Sequence, residues 1–192
     1  MNKDIDRILS WKPCKEELRW FEKQSSLEEV WDKCEEPSWL FFICQAEDEL
    51  NLKKEQSVAI AIAVASRVLD KYEVAYPDDK RPRKAIEAAQ AWLDNPTKEN
   101  ADAASAAYAA STDAYASAAH AVSAAYSARA AAYAALADAA GAAGAAFAAA
   151  RAAAHPATSY ATANAASASA SASAERKAQA DIIRLLVPNP FK

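Results

Sequence analysis

Glycine is nearly missing: the 192-residue chain has two, Gly141 and Gly144. That excludes a phosphate-cradling loop, which places several glycines at fixed turn positions. Histidine is as scarce, with His120 and His155 alone. The three cysteines, Cys14, Cys34 and Cys44, lack CxxC spacing and lie far from both histidines. A zinc site gathers three or four such ligands, so no metal is expected. An odd, scattered set of cysteines reads as reduced, partly buried thiols in a cytosolic protein.

A long hydrophobic run is also absent. The longest strongly apolar stretch, VAIAIAVA, spans residues 58–65, whereas a bilayer-crossing helix takes about 20 residues. The start, MNKDIDRILSWKPCKEE, is charged and has no apolar signal region. The expectation is a cytoplasmic protein with no membrane partner. Charge of one sign is lacking too: 22 Lys and Arg face 26 Asp and Glu, for a net charge of −4. Nothing there favours nucleic acid as a partner. No Ser-His-Asp or Cys-His arrangement stands out, so neither an enzyme nor a cofactor is expected.

What is present is unevenly distributed. Residues 1–100 hold 16 basic and 21 acidic side chains; residues 101–192 hold 6 and 5. The second half is instead alanine: 44 of the 80 residues from Ala101 to Ala180. Alanine is the best helix former, so this tract is helical almost regardless of context. The expected architecture is all-α: one domain over 1–192, with a short-helix, aromatic and charged part at 1–97. An alanine-rich part of long, close-packed antiparallel helices follows at 98–187, with a tail at 188–192.

Punctuation in the first half supports this. Ser26 with Glu29 reads as a capping box opening a helix through VWDKC. Pro37 breaks that helix, and Ser38 can cap the next, in which Trp39, Leu40, Phe42 and Ile43 offer an apolar face. Residues 58–69 alternate like a strand, yet alanine fills the gaps and no second strand exists for pairing, so a helix is expected. Val58, Ile62 and Leu69 form one stripe and Ile60, Val64 and Val68 another, which makes this helix central. Pro82 suits a first helical turn, Asn95-Pro96 closes that helix, and Thr97 can cap the alanine tract.

The large residues of the alanine tract are ordered. At about 100° per residue, Tyr108, Tyr115, Val122, Tyr126 and Tyr133 share one helix face, and Leu136 and Phe147 lie slightly further round. Asp102, Asp113, His120, Ser127 and Asp138 share another. Alanine faces allow close helix approach, with tyrosines reaching between layers. One unbroken helix from Lys98 to Ala140 is over 60 Å long at about 1.5 Å per residue. Either the molecule is elongated or the helix breaks near Ser111-Thr112-Asp113. Gly141, Gly144 and His155-Pro156 interrupt the tract further on. A helix then resumes, anchored by Ile182, Ile183, Leu185 and Leu186, and stopped by Pro188 and Pro190.

Three features are candidate binding residues. Arg81, Arg83 and Lys84 could hold a small anionic ligand or an acidic partner. Cations are poorly placed at a helix start, which favours a binding role somewhat, but salt bridges to neighbours such as Asp78, Asp79 or Glu87 are the more ordinary account of them. Tyr108, Tyr115, Tyr126 and Tyr133 could stack on a partner, or simply pack helices together. His120, seven residues from Asp113, could face a partner, or solvent.

Three stretches, LEEVWDKCEEPSWLFFI (27–43), RPRKAIEAAQAWL (81–93) and the alanine/tyrosine tract closed by QADIIRLLVP (179–188), together resemble one family. It is the immunity proteins of bacterial polymorphic toxin systems, which also occur in phages and mobile elements. The resemblance implies an alanine-rich helical, cytosolic, non-enzymatic protein that binds and neutralises a toxin or effector. Glu28, Glu29, Glu35 and Glu36 would suit a basic toxin. A phage-borne member could instead bind a host defence protein or sequester a small signalling molecule. A third possibility is a homo-oligomeric scaffold built on the alanine faces.

Overall fold

A computed structural model describes residues 3–46, 52–117, 130–135, 145, 148–149 and 165–192. These residues are all-α. Four short helices, α1 (Lys3–Ser10), α2 (Lys15–Phe21), α3 (Leu27–Lys33) and α4 (Pro37–Ala46), precede three longer ones, α5 (Lys54–Ala75), α6 (Arg81–Asp94) and α7 (Lys98–Ser117). Residues 130–135 are helical, and α8 (Ala165–Leu186) ends the fold. No described helix is long and apolar enough to cross a membrane.

The ambiguous 58–69 segment is a helix and central. Val58, Ile60, Ile62, Val64, Val68 and Leu69 of both stripes are buried in α5, together with Ala61, Ala65 and Tyr72. Alanine between the branched residues keeps the segment helical, where alternation alone would equally fit a strand. α6 packs against both α5 and α7, and α8 lies against α4 and α5. One hydrophobic cluster runs from Ile8 through α5 to Val187.

Helix starts follow local chemistry with two departures. Ser26 caps α3, its Oγ accepting from Glu29 N at 3.2 Å. The reciprocal half of the box is missing: the Glu29 carboxylate reaches past Ser26 to Ser25 N at 2.5 Å and to Lys33. The complete box belongs to α2, where Cys14 Sγ accepts from Glu17 N and Cys14 N donates to Glu17 Oε2. Ser38 does not cap α4; Pro37 already occupies the first turn, its missing N–H costing nothing there. Thr97 caps α7 as expected, accepting from Asn100 N at 3.3 Å.

The alanine tract is not one rod. α7 passes through Ser111-Thr112-Asp113 without the anticipated break, and Ser111 Oγ donates to the Tyr108 carbonyl. Yet the Tyr108 and Tyr133 rings lie 5.5 Å apart, whereas 25 residues of straight helix separate two positions by about 37 Å. An unbroken Lys98–Ala140 helix is therefore excluded. Ala130, Ala131, Ala132, Ala134 and Ala135 are buried around Tyr133, so this segment is enclosed on most sides by neighbours that approach to methyl distance. Gly141, Gly144 and His155-Pro156 lie outside the described residues. At the far end, Ile183 and Val187 anchor α8 while Leu185 is 83% exposed; the expectation that Leu185 would anchor was wrong, because the helix phase turns it outward.

Lys12, just past α1, has φ 56°. This left-handed geometry lets Lys12 N bond the Leu9 carbonyl at the helix end, at a steric cost glycine avoids. Lys12→Gly is expected to stabilise the protein by about 0.5–1 kcal/mol, read as a raised urea midpoint with unchanged slope.

Candidate protein-binding face

The basic run is engaged within the chain. The Arg81 guanidinium forks onto Asp79, Nε to Oδ1 at 2.9 Å and Nη2 to Oδ2 at 2.6 Å, and Arg81 N donates to the same carboxylate. Tyr72 OH donates to Asp79 Oδ2 at 2.7 Å. Asp79 thus sets a negative charge at the start of α6, which resolves the misplaced cations. The Arg81 hydrogen bond, then that of Tyr72, holds the Asp79 carboxyl well below its usual range despite partial burial. Burial first, then Asp79, pushes the Tyr72 phenol up.

Arg83 forks onto Glu73 at 2.7 and 2.5 Å, with Lys80 behind it at 3.5 Å. Glu73 falls to about 2, mainly through the Arg83 hydrogen bond. Glu73 was not among the acids expected to pair with this run; it lies ten residues before Arg83, and only the α5–α6 reversal brings them together. Both carboxyls are depressed in the folded state, so what they contribute to stability is complete above the ordinary carboxylate range and fades as pH falls below it. Lys84 is exposed.

The tyrosines divide. Tyr108 is half-buried and meets Tyr133 across helices, which is the packing role; Tyr133 stays 40% exposed. They do not form a single-helix stripe, since they approach from separate turns of the fold. Tyr126 and His120, and the Tyr115 side chain, lie outside the described residues. Among the described candidates, Arg81 and Arg83 pair with Asp79 and Glu73 at the α5–α6 reversal, and Tyr108 with Tyr133.

The acidic row is largely engaged. Glu35 meets Lys177 at 2.6 Å and Glu36 meets Arg176 at 2.7 Å. Lys177 lowers the Glu35 carboxyl, while burial outweighs Arg176 and raises that of Glu36. Asp32 receives Asn189 at 2.9 Å and Lys192 at 3.4 Å. Glu28 is exposed. All three thiols are free; burial pushes Cys34 and Cys44 up to about 12, whereas Cys14 is exposed. Such buried thiols are protonated and unreactive at neutral pH. Among the described residues no cluster of three metal-ligating side chains occurs.

A different feature comes together at the N-terminal helices. Trp39 and Phe42 stand three residues apart on α4, so they share a face. Trp11, after α1, meets Phe42 edge-on at 6.4 Å and 78°. Trp20 of α2 lies 5.6 Å from Trp39 at 53°. Phe21 closes the back, 6.0 Å from Trp39 and fully buried. Trp11, Trp20, Trp39 and Phe42 are each only partly buried against the core. The result is an aromatic patch drawn from α2, α4 and the turn after α1, built on the Trp11–Phe42 and Trp20–Trp39 contacts. Sequence reasoning marked Trp39 and Phe42 as a core-facing stripe and missed the rest. Of five tryptophans, Trp31 and Trp92 are buried and the other three are not, a distinction that no spacing encodes.

No protein family matches the chain, and no curated protein or solved structure is significantly similar to it.

Proposed function

We propose that this chain is a non-enzymatic binding protein of immunity type, which engages a toxin or effector protein through its aromatic surface and neutralises it by occlusion. The observation that carries this reading is the Trp11–Phe42–Trp39–Trp20 surface. Tryptophan dominates protein-interface hot spots because it buries a large area for little lost side-chain entropy and retains a polar N–H. Four partly exposed rings, fixed by mutual edge and tilted contacts, need little reorganisation on binding. The immunity-type assignment is taken from the likeness of residues 27–43, 81–93 and the tract closed by 179–188, considered together, to such proteins.

Alternative readings draw less support. A small anionic ligand would need Arg81 and Arg83, whose forks Asp79 and Glu73 occupy. A scaffold would need alanine faces between chains; Ala104 and five alanines of 130–135 are buried within one chain, although α7 keeps Ala103, Ala106, Ala109 and Ala110 exposed.

The test pairs capture with rescue. Immobilised protein is expected to retain one stoichiometric partner, and co-expression with that partner is expected to restore growth that the partner alone arrests. Trp20→Ala with Trp39→Ala should weaken capture at least 100-fold, at about 2–4 kcal/mol per hot-spot ring. Equal capture by the double variant, or no growth rescue, refutes the proposal. Arg83→Ala is expected to leave capture intact and to lower stability only slightly, since the pair it breaks is partly open to solvent; lost capture would return the basic run to the site.

A further inference from the structure

The C-terminal segment holds α3 along its whole length. Arg184 Nε donates to the Trp31 carbonyl at 2.8 Å and its Nη2 to the Cys34 carbonyl. Those are the carbonyls that a helix end leaves without an intrahelical partner. Past α8, Asn189 Nδ2 bonds Asp32 Oδ1 and the Glu28 carbonyl, and Lys192 pairs with Asp32. Phe191 sits under the Arg7 guanidinium of α1 at 5.7 Å. Lys177 and Arg176 add the pairs to Glu35 and Glu36.

Three of these ties are ion pairs with partly exposed partners: Lys177 and Glu35 are 59% and 55% exposed, Lys192 and Asp32 59% and 44%, Arg176 and Glu36 34% and 35%. Such pairs are individually weak and screened by salt. Among the described residues, Ala180 and Ile183 of α8 and Val187 just after it are buried in the apolar core, with Leu186 packed partly against it, fewer than the ten buried residues of α5. In turn α3 has seven residues, too few to persist as an isolated helix, and it depends on Arg184 for its terminal carbonyls.

We propose that α8 and the 187–192 tail form a salt-sensitive clasp, which opens together with α3 as one unit while α5–α7 stays folded. Opening releases Asp32, Glu35 and Glu36 from Lys192, Lys177 and Arg176, which joins them to exposed Glu28 as one acidic row, and frees the Cys34 thiol. The closed clasp then competes with any basic partner for that row. This does not rest on the aromatic surface as a binding face; failure of one leaves the other standing.

Cys34 is the reporter. In a Cys14→Ser background, its modification by an aromatic disulfide reagent at pH 8 is followed by peptide mapping, alongside hydrogen exchange of the α5 amides. Wild-type Cys34 is expected to react at least twofold faster in 1 M than in 0.1 M sodium chloride. Arg184→Met should accelerate it at least tenfold, with α5 exchange unchanged. Should that variant fail to fold, Lys177→Gln, altered at an exposed position, should accelerate it about twofold. Salt-independent labelling, or α5 exchange rising in proportion to labelling in a folded variant, overturns the proposal.

Discussion

Trp31→Ala is expected to lower unfolding stability by about 3–5 kcal/mol, the cost of emptying a large core site. Trp31 is 1% exposed on a seven-residue helix, and its own carbonyl is one of the two that Arg184 holds. The ring is thus lost from a helix too short to persist without its packing. Against a typical total of 5–15 kcal/mol, such a loss leaves little reserve. Urea unfolding followed by tryptophan fluorescence and circular dichroism measures it. Leu185→Ala, at an 83% exposed position two residues before Val187, should change stability by less than about 0.5 kcal/mol. A Trp31 effect no larger than that would mean the core does not close around this ring.

The second large effect comes from adding atoms. Ala132 is fully buried among alanines that are themselves buried. Ala132→Leu inserts three carbons at a position with no exposed surface, and should cost about 1–3 kcal/mol through strain. The same change at exposed Ala109 of α7 should be nearly neutral, because leucine and alanine are both strong helix formers. Equal midpoints for the two variants would place the tight contact elsewhere. The comparison separates alanine used for its helix propensity from alanine used for its size.

Much of the architecture was legible because it rests on local chemistry. Helical identity, the centrality of α5, the Pro82 and Thr97 starts and the Pro188 stop all follow from propensity, capping and periodicity. Alanine carries no directional information, so the fold of its tract could not be read: one helix and a reversed pair look alike until Tyr108 and Tyr133 are found in contact. The candidate site was less legible still. Arg83 finds Glu73, and Lys177 finds Glu35, across separations of 10 and 142 residues, and spacing along one helix does not reveal such partners. Leu185 points outward and Ile183 inward within the same apolar run, a matter of helix phase relative to a surface the sequence does not locate.

The modest charge around the aromatic surface has a kinetic consequence. Over residues 3–46, which carry all four rings, seven basic residues stand against ten acidic ones, so only a weak field acts on an approaching molecule. Association without electrostatic steering runs at roughly 10⁵–10⁶ M⁻¹s⁻¹ and barely responds to ionic strength. At micromolar concentration an encounter then takes about 1–10 s. Under the function proposed above, capture at that pace would require the protein to accumulate before its target does and to hold it through slow release.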